Sequence, residues 1–288
     1  MGAPRSSASS SSQDPTSPLN IEPLQLRYGP DVPDTAGIWN AVLSGLLAHR
    51  SVRAYRPDKI PDGALEAIIA AAQSASSSSN LQAWSVIVVE EEARKARLAE
   101  FAGGQNHIRQ APLFLVWLAD LARAERLARL AGRPEEGLPF LETFLVAAID
   151  ATLAAQNAVV ALESLGLGAV YIGAIRNRPD AVAAELGLPP HVAPLFGLCI
   201  GYADSDAPAA VKPRLLQNVV VHRETYALET QDDGIAAYDR ILREFQVSQR
   251  LPATGWVEAV LSRLGSVQRL NGRDELKAKL RALGFALR

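Results

Sequence analysis

The sequence predicts one central sheet sandwiched between helices, in a protein of the α/β or α+β class. Three observations predict this fold. Short apolar runs typical of buried strands alternate with helical patterns, one helical pattern is unusually long and apolar, and the chain from Asp232 onward is helical throughout. Strands separated by helices bury their apolar faces by packing the helices on the sheet. The 288 residues allow one or two domains with a large core.

The chain divides into three segments by composition. Residues 1–36 are rich in Ser and Pro, which predicts a flexible tail, although residues 21–28 could pack on the body. Residues 37–230 form the predicted core of the fold. Residues 231–288 form a predicted helical extension.

The first half of the core begins with a helix at residues 65–72, where apolar side chains follow the i, i+3, i+4, i+7 spacing. Asp62 is its predicted N-cap. The next helix ends where Gly103 and Gly104 permit a left-handed stop. The predicted elements after the first helix are, in order, strand 84–89, helix 91–102, strand 113–119 and helix 121–131.

The second half of the core begins with a helix at residues 140–165 that is apolar nearly all round. Such a helix must be buried, either in the core of a monomer or between subunits. Its polar residues Asp150, Gln156 and Asn157 then need hydrogen-bond partners. Pro179 is expected at the first position of a later helix, with Gly187 after its end. The remaining predicted elements are strand 168–172, helix 180–186, strand 194–201 and helices 235–246, 256–264 and 273–283.

Composition excludes several classes of function. The formal net charge of −2 gives no reason to expect a nucleic-acid partner. Cys199 is the single cysteine, so an intrachain disulfide and a cysteine-rich zinc site are excluded, and its apolar neighbours indicate a buried small side chain. The apolar runs are shorter than the ~18 residues of a membrane span. His107 and His191 lack metal-ligand spacing, no metal is expected, and the cytoplasm is the expected compartment.

Two polar segments predict the binding site. Residues 49–53, here called the arginine segment, place an imidazole, a hydroxyl and two guanidiniums in the sequence HRSVR. Residues 76–82, here called the serine loop, supply four hydroxyls and two amides. Arg and Ser are strong donors to phosphate, so the pair predicts a ligand with an anionic end and a flat polar body. A solvated basic loop and a simple linker are the alternatives.

Other chemistry-bearing motifs are weaker. The sequence Lys212-Pro213-Arg214 adds two cations and is either part of an anion site or an exposed basic turn. Gly166, Gly168 and Gly173 do not match the G-x-G-x-x-G spacing, which excludes a Rossmann site. We found no nucleophile paired with a base, so the chemistry is expected to come from a cofactor.

Seven ordered segments resemble the nitroreductase family of FMN-dependent oxidoreductases, and within it the NADPH-dependent nitroreductase and flavin reductase group. They are HRSVRAY (49–55), SASSSSNLQ (74–82), GGQNH (103–107), ESLGLGAVYIGAIRN (163–177), LPPHVAPLFGLCIGY (188–202), KPRL (212–215) and residues 272–288. The resemblance implies an α+β three-layer sandwich. Its central sheet would be mixed and mainly antiparallel, and the protein would be an obligate homodimer with FMN at the subunit interface.

The resemblance also assigns residues to the cofactor. The phosphate of FMN would be held by His49, Arg50, Ser51, Lys212 and Arg214. The ring and ribityl chain would contact Ser77, Ser78, Ser79, Gln105, Tyr171, Ile172 and Gly173. Arg53 would lie beside the pyrimidine edge, where a cation favours the negative charge of a reduced flavin, and Arg53 and Gly173 are the predicted catalytic residues.

NADPH is the hydride donor that the resemblance implies, with Arg250 and Arg273 as its predicted contacts. The loop at residues 249–255 contains one Arg, where the group commonly has several, so NADH remains an alternative donor. The implied reaction is ping-pong transfer to nitroaromatics, quinones or similar small acceptors. A dedicated reductase or dehalogenase of the same family, and a flavin-binding sensor without turnover, are the alternatives.

Overall fold

The computed structural model describes residues 22–207 and 209–288, and these form two compact units. The smaller unit comprises residues 22–48 and 211–257, and the larger comprises residues 49–207, 209–210 and 258–288. The part of the predicted tail at residues 1–21 lies outside the described residues. The rest of that tail contains a helix at Glu22–Tyr28, within the stretch that was expected to be able to pack on the body.

The larger unit is built on one four-stranded sheet in the order β1-β2-β4-β3. Neighbouring strands all pair antiparallel. The resemblance implied a mixed sheet, but the single parallel pairing found in the described residues is an isolated bridge between Ser51 and Ala169. The strands are β1 (Trp84–Val89), β2 (Leu113–Asp120), β3 (Gly168–Ile172) and β4 (Val192–Gly201).

Helices cover both faces of this sheet. They are α3 (Ala64–Gln73), α4 (Glu92–Phe101), α5 (Asn106–Gln110), α6 (Ala122–Ala131), α7 (Leu141–Ser164), α8 (Pro179–Leu186) and α12 (Leu276–Ala282). The central strand β2 shows why two layers are needed. Successive side chains of a strand point to opposite faces. Phe114 and Val116 pack in the cluster that contains Leu98 of α4, whereas Leu115 and Trp117 pack in the cluster that contains α7. The larger unit therefore has three layers.

The long helix α7 matches its prediction to within one residue at each end. Its length and composition would also allow a membrane span. Ala151, Ala154 and Ala158 are nevertheless fully buried in the clusters of the larger unit, and α7 packs on α3 and β2. One face of α7 therefore belongs to the core of the larger unit.

Two helix starts test the capping predictions. Helix α3 begins at Ala64 after Gly63, whose φ of 81° is left-handed, so the predicted Asp62 cap is wrong. Only glycine adopts such a φ without strain, and it takes the place of a side-chain cap there. Helix α8 begins at Pro179 and ends at Leu186, and Gly187 follows with φ 63°, as the proline and glycine pattern predicts.

The smaller unit is helical. It contains α1 (Glu22–Tyr28), α2 (Ala41–Leu47), α9 (Gln217–Val220) and α10 (Asp232–Ser248), and α11 (Trp256–Leu264) begins in it. Buried Arg27 donates from its guanidinium to the carbonyls of Leu47 at 3.0 Å and Lys212 at 2.7 Å. The buried arginine thus joins α1 to the end of α2 and to the segment that precedes α9.

Candidate functional site

The arginine segment is fixed to the edge strand β3. The amide of Val52 donates to the carbonyl of Ala169 at 2.9 Å, next to the bridge between Ser51 and Ala169. Val52 is 3% exposed, and Gly168 leaves room for it, because a Cβ on Gly168 would lie 2.5 Å from Val52 Cγ2. Successive side chains of extended backbone point in opposite directions, so the side chains of Ser51 and Arg53 point away from the core that buries Val52.

Arg50 and Arg53 project from this fixed segment and are exposed. The ion pairs found within the described residues include neither guanidinium. Two cations carried on one backbone segment that is bonded to β3 are suited to an anionic ligand. The exposure of both guanidiniums is compatible with an anion site and with the alternative of a solvated basic loop.

His49 begins the arginine segment and contacts α7. Its Nδ1 lies 2.6 Å from Oε1 of Glu163 in the last turn of that helix. The same carboxylate helps to raise the pKa of the Tyr171 hydroxyl, after the larger effect of desolvation. Glu163 therefore lies near two of the predicted ligand residues.

The serine loop contains a short 3₁₀ turn at Ser78–Asn80. Ser77 donates its hydroxyl to the buried Asp150 of α7 at 2.7 Å and accepts from the amide of Gln82 at 2.8 Å. Its only hydroxyl proton is thus used within the protein. The side chains of Ser78 and Ser79 are exposed. The loop is a structured element, which excludes the alternative of a simple linker.

The end of β3 leads into the next predicted residues. Ile172 is 1% exposed and belongs to the core, whereas the Tyr171 ring is 38% exposed and packs edge-on against Phe196 with ring centroids 5.4 Å apart. Gly173 opens a 3₁₀ turn that follows the strand. A Cβ there would lie 3.5 Å from the Arg176 guanidinium, which is an ordinary van der Waals contact.

Gln105 and Arg273 line one cavity, although 168 positions separate them in the sequence. The cavity has a volume of 620 Å³. Its charged lining residues are Arg178, Arg273, Lys279 and Glu100. Burial lowers the pKa of the Arg273 guanidinium, with Arg263 and Arg176 adding to the effect. The excess of cations suits an anionic group.

Lys212 and Arg214 belong to the smaller unit, and their cooperation with Arg50 stays a prediction. Within that unit, the Arg27 guanidinium donates to the Lys212 carbonyl, and the backbone carbonyl of Arg27 accepts from the amide of Arg214 at 2.8 Å. Tyr238 donates its hydroxyl to Pro213 at 3.2 Å. Arg250 also lies in this unit, exposed and in left-handed backbone with φ 56° after α10.

Three residues of structural importance were missed from the sequence: Glu163, Arg27 and Tyr238. Asp150 was identified as an acid in an apolar helix that needs a partner, but the serine loop was not identified as that partner. His107 was considered only as a metal ligand. Burial, and then the positive charge of Arg53, lower its pKa, so His107 lies within electrostatic range of the arginine segment. Cys199 is fully buried as expected, and burial raises the pKa of its thiol.

Comparison with known proteins gives matches over most of the chain. Residues 46–202 match the model of the nitroreductase family, and residues 212–288 match the model of that family's C-terminal domain. An oxygen-insensitive NADPH nitroreductase of Salmonella typhimurium is 42% identical over 204 residues, which is 71% of this chain and 82% of the relative. An FMN reductase [NAD(P)H] of Bacillus subtilis is 44% identical over 209 residues, 72% of this chain and 83% of the relative.

A solved structure shares the fold as well. It is an NADPH:FMN oxidoreductase from Vibrio harveyi in complex with NAD⁺. The TM-score is 0.76 at 36% sequence identity, and the match covers 86% of this chain and all of the other.

Proposed function

This chain belongs to the nitroreductase family, and we propose that it is an NADPH-dependent FMN oxidoreductase that reduces small electron-poor molecules. Nitroaromatics and quinones are the acceptor classes. The observation that carries the proposal is the arginine segment, in which Arg50 and Arg53 are exposed, fixed on β3 and outside the ion pairs of the described residues.

The residues present fit FMN. Its phosphate needs cations and hydroxyl donors, which Arg50, Ser51 and His49 supply within three consecutive residues of a segment fixed on β3. The resemblance, and no geometry within either unit, assigns Lys212 and Arg214 to the same phosphate. The flat ring needs polar edges and a wall. Ser78 and Ser79 offer exposed hydroxyls, and Tyr171 and Gly173 offer a partly exposed ring and a small residue at the end of β3.

When bound, FMN accepts a hydride from the nicotinamide and passes electrons to the acceptor. Arg53 supplies a fixed positive charge for the pyrimidine edge of the ring, where negative charge grows on reduction. Gly173 keeps side-chain bulk away from the ring. The other residues of the arginine segment hold the phosphate end and so fix the orientation of the ring.

The cavity between Gln105 and Arg273 is the proposed place for the donor or the acceptor. Arg178, Arg273 and Lys279 give it more positive than negative charge. A phosphate of NADPH or an acidic group on the acceptor matches that charge. Donor and acceptor bind in turn, as a ping-pong scheme requires.

We also infer a cytoplasmic homodimer. Four side chains of α7 spaced by four residues form an exposed row, here called the α7 apolar ladder. They are Leu141 (46% exposed), Leu145 (44%), Ile149 (56%) and Leu153 (43%). Residues at this spacing share one helix face, and such continuous apolar faces mark interaction surfaces. A second copy of the chain, related by a two-fold axis, covers the same row on both subunits.

The test is an anaerobic absorbance spectrum of the purified protein, followed by titration with NADPH and with NADH. A yellow protein that NADPH bleaches is the expected result. Reoxidation by a nitroaromatic or a quinone, with parallel double-reciprocal plots, is expected next. A colourless protein that does not take up added FMN overturns the proposal. A yellow protein that neither nucleotide bleaches supports a sensor without turnover.

A further inference from the structure

Helix α7 carries a buried acid whose environment is unusual. Asp150 is 2% exposed, and the ion pairs of residues 22–207 and 209–288 do not include it. Burying a carboxylate is costly unless hydrogen bonds compensate for lost water. Asp150 accepts three: from the Ser77 hydroxyl at 2.7 Å, the Ser78 amide at 3.1 Å and the Ala83 amide at 3.1 Å.

All three donors belong to the serine loop or follow it directly. That loop contains three residues other than glycine in left-handed backbone, namely Ser79 (φ 49°), Asn80 (φ 55°) and Gln82 (φ 49°). Side chains with a Cβ seldom adopt this region, and such strain persists only where the surroundings impose it. The Ser77 hydroxyl also accepts a hydrogen bond from the Gln82 amide, and the Ser77 carbonyl accepts one from the Asn80 amide at 3.1 Å.

Ser77 therefore connects both ends of the left-handed stretch of the loop by hydrogen bonds, and Asp150 holds Ser77 in place. We propose that Asp150 is a positioning residue of the cofactor site. It holds the serine loop in the strained conformation that presents Ser78 and Ser79, and it acts through the loop without touching the ligand. The inference rests on the proposed function for the identity of the ligand, FMN.

The carboxylate chemistry makes the idea specific. An ionised carboxylate offers only acceptors, and the structure surrounds Asp150 with three donors. In D150N, one oxygen can still accept from Ser77 and Ala83, because both bond the same Oδ2. The new NH₂ group then faces the Ser78 amide, so two donors oppose each other. The substitution disturbs the loop with almost no change in volume.

The matched control is E185Q. Glu185 of α8 is another partly buried acid of the larger unit, with a side chain 15% exposed. It accepts from Arg94 and Arg97 of α4, and none of the predicted ligand residues contacts it through these bonds. E185Q therefore loses charge-assisted bonds between two helices without disturbing the serine loop.

The experiment measures FMN affinity by fluorescence quenching, amide hydrogen exchange of the serine loop without FMN, and Tm for each variant. In D150N we expect FMN Kd to rise at least tenfold and loop exchange to accelerate at least tenfold. E185Q is expected to change FMN Kd less than twofold at a comparable loss of Tm. D150N that matches wild type in FMN Kd and loop exchange overturns the proposal.

A double-mutant cycle of S77A with D150A, which removes the acceptor of the Ser77 hydroxyl, separates positioning from general stability. If Asp150 acts through Ser77, the double variant loses no more FMN affinity than the weaker-binding single variant. Fully additive losses contradict that route. S77A also tests the proposal alone should D150N not fold, because it removes the hydroxyl that bonds both Asp150 and the Gln82 amide and is expected to accelerate exchange of that amide. Wild type that binds no FMN defeats the proposed function, whereas the exchange result still tests the loop.

Discussion

His49 Nδ1 lies 2.6 Å from Glu163 Oε1, which joins the first residue of the arginine segment to the last turn of α7. An acid at the carboxyl end of a helix interacts unfavourably with the helix dipole. A partner that donates a hydrogen bond offsets this cost, so the position of Glu163 is best explained by His49. The contact also fixes which nitrogen of the imidazole faces α7.

Replacing Glu163 is expected to weaken FMN binding. In E163A, His49 loses the acceptor that orients it, and we expect FMN Kd to rise about fivefold, equivalent to ~1 kcal/mol for one hydrogen bond. E163Q keeps an acceptor and is expected to fall between E163A and wild type. Titration of the apoprotein with FMN measures the effect, with E142Q in the first turn of α7 as control. Equal Kd values for all four proteins contradict the proposed role of Glu163.

The two exposed arginines are expected to have separable roles. R50A removes a phosphate contact, and FMN Kd is expected to rise about 10- to 100-fold, the range for a hydrogen bond to a charged group. R53A is expected to slow reduction of the bound flavin by NADPH and to lower its potential. Stopped-flow reduction and potentiometry measure both.

R56A is the control for both variants. Arg56 is a nearby exposed arginine that pairs with Asp58 at 2.8 Å. FMN affinity in R50A equal to that in R56A contradicts the assignment of Arg50 to the phosphate.

Gly168 is expected to be intolerant of a side chain. In G168A the new Cβ meets Val52 Cγ2 at 2.5 Å and pushes the arginine segment off Ala169. Overpacking of this kind lowers the free energy of unfolding by about 1–3 kcal/mol. Urea unfolding measures it. G45A in α2, where nothing lies within 4 Å, is expected to be neutral or stabilising. Weaker FMN binding in G168A but not in G45A supports the role of Gly168 in positioning the arginine segment.

The α7 apolar ladder is expected to be the subunit contact. I149D places a charge in the middle of the row, and we expect the dimer dissociation constant to rise at least about 100-fold, since burying an unpaired charge costs several kcal/mol. Sedimentation velocity measures the association state. L127D on α6, at a leucine that is 62% exposed, is the matched control and is expected to remain dimeric. A dimeric I149D variant excludes this face.

His107 is expected to make stability depend on pH. Its pKa is lowered in the folded protein by burial and by Arg53, so the unfolded chain takes up a proton first as the pH falls below about 6.5. The free energy of unfolding therefore decreases from that pH downward until the folded state is protonated too. Urea unfolding from pH 8 to 5 is expected to show a smaller decrease for H107Q. NMR titration is expected to show a higher pKa for His107 in R53A.

Local pattern predicted most of the sheet and the long helix, because both are determined by periodicity over neighbouring residues. The strand predicted at 113–119 and β2 (Leu113–Asp120) differ by one residue. The strand order and the contacts of the site depend on distant pairings. Ser77 and Asp150 are 73 positions apart, and Arg27 and the Lys212 carbonyl are 185 apart. Local propensity contains no information on such pairs.

The residues of the arginine segment and the serine loop were identifiable from their chemical types, and the resemblance assigned them to one ligand. What the sequence did not reveal is how they are held. The predicted cap at Asp62 shows in one turn of chain that residue type does not determine position. Asp is a good N-cap by type, yet Gly63 occupies the N-cap position of α3. Which of two adjacent residues caps a helix depends on the path of the preceding loop.

Helix α7 also sets the spacing between three other segments of the chain. Asp150 accepts a hydrogen bond from Ser77, and Asn157 donates one to the Ala71 carbonyl at 3.3 Å. Glu163 contacts His49. Three positions along one helix therefore determine where the serine loop, α3 and the arginine segment lie. One inserted residue rotates everything after it by about 100° and advances it by about 1.5 Å. Insertions and deletions between residues 150 and 163 should therefore be far rarer among functional variants than substitutions there. A library with single-residue insertions and deletions at each position of α7 would show directly whether functional variants exclude length changes between residues 150 and 163.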